Sequence, residues 1–71
     1  MGNLKTKLTV EYTQLNSKYN KLCDFLYDET QTALIDSIHL QLLGKQRDIM
    51  KEYLFVLHDR CKLLGFDPDE V

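Results

Sequence analysis

In the first third of the chain the apolar and aromatic positions fall at Leu8, Tyr12, Leu15, Tyr19, Leu22 and Leu26. The spacing alternates fours and threes, the rhythm of one packed helical seam. Lys18, Asn20, Lys21 and Asp24 fall off that seam, as solvent-facing residues do. A strand-like alternation competes near the start, with Thr6, Leu8, Val10 and Tyr12 on one side. A lone strand has no pairing partner in so short a chain. The pattern therefore predicts a helix over about residues 6–27, with a frayed beginning between Leu4 and Thr9.

The next stretch, DETQTALI, turns from polar to apolar. Asp28 and Gln31 stand at the spacing of a capping box, which predicts a short helical elbow within 28–35. Asp36 reads as the N-cap of a second long helix over about 37–64, with Ile35 and Leu40 placed for a hydrophobic staple. The main seam of that helix is read as Leu43, Gln46, Met50, Tyr53, Leu57, Cys61 and Leu64. A further apolar row, Leu42, Ile49, Val56 and Leu63, recurs one heptad apart. Gly44 costs about 1 kcal/mol inside a helix, which suggests a close crossing there. Gly65 and Pro68 mark the helix end, and Phe66 is placed to fold back on the last turn. The acidic tail over 66–71 is expected to be loose.

The segment IMKEYLFVL, Ile49 to Leu57, sharpens the problem. Seven of its nine residues are apolar or aromatic, and the last five run without a break. On a helix such a run points in every direction, whereas one neighbour covers one stripe. The expected fold is an all-α antiparallel hairpin of two long helices with a short elbow. A second copy of the chain is expected over the remaining row, and a homodimer closing a four-helix bundle is the simplest arrangement.

A chain of 71 residues is one domain and is marginally stable alone, which also favours self-association. A net charge of −2 is too mild for charge-driven nucleic-acid binding. No apolar run reaches membrane-spanning length, and the N-terminus lacks the apolar core of a signal peptide. Cys23 and Cys61 have no metal or redox spacing. In the hairpin they would stand roughly 30 Å apart, far beyond disulfide reach, so each is read as a small buried apolar residue. His58 and Cys61, at i and i+3, supply two metal ligands, too few for a site. His39 is read as a surface or elbow residue. No nucleophile–base pair and no glycine-rich phosphate loop is evident, so no catalytic residue, metal or cofactor is expected.

The expected interface with a second copy or a target draws on Leu15, Tyr19, Leu22 and Leu26 of the first helix. From the second helix it draws on Leu42, Ile49, Met50, Tyr53, Val56 and Leu57. Tyrosines at such an interface either pack in it or stack on a nucleobase while a cation meets phosphate. The residues available for ligand or partner contact are Tyr12, Lys18, Lys21, Gln46, Arg47 and Arg60, and Arg60 lies closest to the second seam.

The residues Leu22, Phe25, Leu26, Asp36, Leu42, Leu43, Gln46, Met50, Tyr53, Leu57 and Arg60 form a pattern that resembles small helical-hairpin accessory proteins of tailed bacteriophages. It covers about half of the chain, and Gln46, Tyr53 and Arg60 are its members least explained by periodicity. The resemblance implies a protein acting in the cytoplasm of a bacterial host. It implies a homo-oligomer that antagonises a host defence or other host system by contacting a host protein. Two alternatives stand beside it: a sponge for a cyclic-nucleotide signal bound between subunits, and a structural or assembly adaptor.

Overall fold

A computed structural model describes residues 3–70. Two long helices, α1 (Asn3–Tyr27) and α3 (Ser37–Leu63), flank a four-residue helix, α2 (Glu29–Thr32), and a 3-10 turn at Pro68–Glu70 ends the described chain. The all-α hairpin with a helical elbow is thus the observed fold, with no strand among the described residues.

The caps follow the local chemistry. Asp28 accepts hydrogen bonds from the Thr30 backbone N–H at 3.0 Å and from the Gln31 side-chain amide at 3.1 Å, which closes the elbow. Its carboxyl is held below the usual carboxylate range, chiefly by the hydrogen bond from the Thr30 hydroxyl. Asp36 accepts from the Ile38 N–H at 2.7 Å and starts α3. At the other end Phe66 N–H donates to Cys61 O at 3.2 Å and Gly65 N–H to Lys62 O at 2.9 Å. These paired bonds satisfy the last carbonyls and require a left-handed residue, supplied by Gly65 at φ 87°.

Packing corrects three expectations. First, α1 does not fray where the alternation suggested: it begins by Asn3, and Leu8 is its one buried residue. Leu8 meets Leu57 and Cys61, with Tyr12, Leu15 and Phe66 packed around them. Second, the α3 seam has a different phase. Leu54 is buried, whereas Tyr53 is 44 % exposed and Gln46 also faces out. The inward row is therefore Leu43, Met50, Leu54, Leu57 and Cys61. Third, a Cβ on Gly44 would meet nothing within 4 Å, so no close crossing explains this glycine.

The two glycines predict opposite effects. Gly44→Ala should raise stability by about 1 kcal/mol, because it removes a helix-interior glycine at no steric cost. Gly65→Ala should lower it by about 1–2 kcal/mol, because a Cβ is strained at positive φ. Urea melts of the two variants read both signs.

The molecule is a rod of 47 × 17 × 17 Å with a radius of gyration of 14.9 Å. A compact chain of this length would have about 11 Å. A two-helix rod shelters little, and among the described residues its buried apolar core is Leu8, Leu54, Leu57 and Cys61. Leu42, Ile49, Val56 and Leu63 remain 57, 65, 54 and 87 % exposed. Among the described residues no helix is long and apolar enough to cross a membrane.

Candidate functional site

Two places on the rod gather chemistry. The first is the C-terminal clasp. Phe66 reaches back to the core, Pro68 is buried, and the described part of the tail lies against α1 instead of hanging loose. The Tyr12 hydroxyl donates to an Asp69 carboxylate oxygen at 2.9 Å. His58 Nε2 lies 3.7 Å from both Asp67 Oδ1 and Asp69 Oδ2, and Lys62 Nζ lies 3.8 Å from Asp67 Oδ2. Lys5 Nζ sits 5.0 Å from the Phe66 ring centroid. Acidic composition suggested a free tail; Phe66 and Pro68 are the apolar anchors that overrule it.

One ligating atom from each of His58, Asp67 and Asp69 falls within 4.8 Å of the others, a spacing that a cation could use. Both carboxylates already have partners, Asp69 in Tyr12 and Asp67 in Lys62. The clasp is thus explained by its own ion pairs and hydrogen bonds. Cys61 is buried beneath it, and burial raises its thiol pKa; both cysteines are free thiols.

Burial, followed by the hydrogen bond and charge of Asp69, pushes the Tyr12 phenol up to about 12. A folded-state value above the unfolded 10.0 stabilises the fold below pH 10, and that contribution is lost as pH rises toward 12. The stability difference between the native chain and Tyr12→Phe should therefore shrink across this window. Thermal melts of both proteins from pH 9 upward measure it; a constant difference would show that Tyr12 does not hold the tail.

The second place is the outward face of α3. At 3.6 residues per turn the row Leu42, Ile49, Val56, Leu63 points roughly 120° away from the inward row. Gln46, Tyr53 and Arg60 flank it on the side nearer α1, and Lys45, Glu52 and Asp59 flank it on the far side. Tyr53 is fixed there, because its hydroxyl donates to the Glu11 carboxylate of α1. Arg60, Lys45, Asp59 and Lys18 are exposed and make no ion pair among the described residues. Arg47, by contrast, pairs with its neighbour Asp48 at 3.2 Å.

The structure sorts the sequence-derived residues into three sets. Leu15, Tyr19, Leu22, Leu26 and Met50 are half-buried along the α1–α3 seam, and Leu57 is fully buried within it. Leu57 is therefore a core residue of the single chain and is closed to any outside surface. Leu42, Ile49, Val56, Tyr53, Gln46 and Arg60 share the outward face, whereas Lys21 is exposed elsewhere on α1. Tyr12 belongs to the clasp. Sequence reasoning missed Asp67 and Asp69 as structural partners, although a tyrosine on the seam near the rod's end was a signal.

No pocket opens on the single hairpin among the described residues. No curated protein and no solved structure matches the chain. One family model does match, Sequestin, over residues 3–63, which takes in both long helices and ends before the tail residues of the clasp. That match spans most of the chain, and the chain belongs to the Sequestin family.

Proposed function

We propose that this protein is a non-catalytic binding protein that works as a homo-oligomer and sequesters a small nucleotide signal between its subunits. The observation that carries the reading is the open row Leu42, Ile49, Val56 and Leu63, 54 to 87 % exposed on a rod whose described residues bury little apolar surface. A face of that size on a marginal domain calls for a partner surface. The family name speaks of sequestering, which favours capture of a ligand over turnover. Tyr53 and Arg60 flank the row, and an aromatic ring beside a free guanidinium is the pairing that meets a base and a phosphate. In a bacteriophage, such a protein would withdraw a cyclic-nucleotide signal from a host defence in the bacterial cytoplasm.

The same open row supports a second reading, in which it docks on a host protein. Oligomeric state separates the two, because a row used between copies is closed to a target.

Thermal melts with a panel of 3′,5′-cyclic mononucleotides and 3′–5′ cyclic dinucleotides test the first reading. A ligand held at 100 times its Kd stabilises by about 2.7 kcal/mol. In a domain this small that raises Tm by on the order of 10 °C. No shift with any member of the panel overturns it.

A further inference from the structure

We propose that the clasp binds a transition-metal dication of the zinc type through His58 Nε2, Asp67 Oδ1 and Asp69 Oδ2, and that the ion staples the tail to α3. None of the three residues belongs to the outward face of α3, so the site stands whether or not a nucleotide is captured there.

The donors come from two parts of the chain. His58 lies in the last two turns of α3, and Asp67 and Asp69 flank Pro68 in the tail. Gly65 turns the chain back, and Phe66 and the buried Pro68 hold the tail against the core. Both carboxylates are thereby carried to one imidazole. His58 Nε2 lies 3.7 Å from Asp67 Oδ1 and 3.7 Å from Asp69 Oδ2. That is too long for a hydrogen bond, and Nε2 enters none among the described residues.

The bonds that close the clasp without an ion also orient its donors. Tyr12 donates to the other oxygen of Asp69, Oδ1, and Lys62 faces the other oxygen of Asp67, Oδ2. The Asp69 backbone N–H donates to Asp67 Oδ1 at 2.9 Å, which leaves that oxygen a second lone pair. Carboxylates anchored from behind in this way are a regular feature of metal sites.

The donor set selects the ion. An imidazole nitrogen beside carboxylate oxygens suits zinc and its neighbours, whereas calcium and magnesium take oxygen donors. Tetrahedral zinc, with bonds of about 2.0–2.2 Å, sets adjacent donors about 3.4 Å apart. His58 and each carboxylate therefore close by about 0.3 Å. The three atoms already lie within 4.8 Å of one another, and their side chains are partly exposed, which leaves room to rotate inward. Two carboxylates balance the charge of the dication. Lys62 is the competing cation, and its side chain is 58 % exposed and free to swing outward. Cys61 is fully buried in the core and is not a donor. A structural metal is one of the staples by which domains this small gain stability. Two of the three donors lie beyond residue 63, where the family match ends, so the site is a property of this chain's tail.

Calorimetric titration of the chelator-treated native chain with Zn²⁺ alone should find one ion per chain. At 100 times its Kd, Zn²⁺ should raise Tm by on the order of 10 °C. His58→Gln and Asp69→Asn should each weaken Zn²⁺ binding at least tenfold while keeping native helical circular dichroism. Cys23→Ser and His39→Gln should bind Zn²⁺ as the native chain does. Nuclear magnetic resonance of the native chain gives a reading that needs no variant. Zn²⁺ should move the His58 ring signals and the amides of Asp67 and Asp69, and leave the His39 ring in place. Neither heat nor a Tm shift at millimolar Zn²⁺ would overturn the site. So would binding that survives His58→Gln, or half an ion per chain, which would put the ion between two copies.

Discussion

Leu57→Asp is expected to leave no folded hairpin. Leu57 is fully buried at the meeting point of Leu8 and Cys61, the tightest part of the apolar core. Truncating a leucine in such a place costs about 2–5 kcal/mol through lost burial and the cavity it leaves. A carboxylate adds the cost of an unpaired charge in an apolar site. Single cores in chains of this size rarely supply more than about 3–5 kcal/mol. The variant should lose most helical circular dichroism at 25 °C and show no cooperative melt. A folded protein with native Tm would mean that the seam runs elsewhere.

Ile49→Asp combined with Val56→Asp is expected to do something different. Both residues are more than half exposed on the single chain, at 65 and 54 %. On an isolated hairpin the double substitution should be close to neutral, as exposed substitutions on a helix surface usually are. If the outward row is covered by another copy, it puts two carboxylates per chain into an apolar interface. Burying a side chain of this kind is worth roughly 1.5–3 kcal/mol, so losing it from both chains dissociates the oligomer. Sedimentation should find a monomer, with a Tm lower than that of the native protein and dependent less on concentration. An unchanged oligomer would place the interface on another face.

The contrast between these two variants reflects what periodicity can and cannot resolve. The α1 seam was legible because mostly polar residues separate Leu8, Tyr12, Leu15, Tyr19, Leu22 and Leu26, with Val10, Cys23 and Phe25 the apolar interruptions. In α3 the unbroken run Tyr53 to Leu57 offers several faces at once, and spacing alone cannot choose among them. The structure chooses Leu54 and Leu57 for the inside and leaves Tyr53, Phe55 and Val56 outside. Tyr53 faces out because its hydroxyl has a partner in Glu11, a contact between residues far apart in sequence. The caps at Asp28 and Asp36 were legible because their chemistry is local. The clasp was not, because Tyr12, His58 and Asp69 meet only when the hairpin has closed.

The outward row itself was legible from the sequence, since Leu42, Ile49, Val56 and Leu63 recur every seven residues. What it left open was the occupant.

Native mass spectrometry of the protein purified gently from a bacterial cytoplasm tests the central claim most directly. Sequestration between subunits predicts an even-numbered oligomer that carries extra mass of nucleotide size, up to one ligand per chain. A monomer would contradict it, and would leave the row from Leu42 to Leu63 as the landing surface for a different protein.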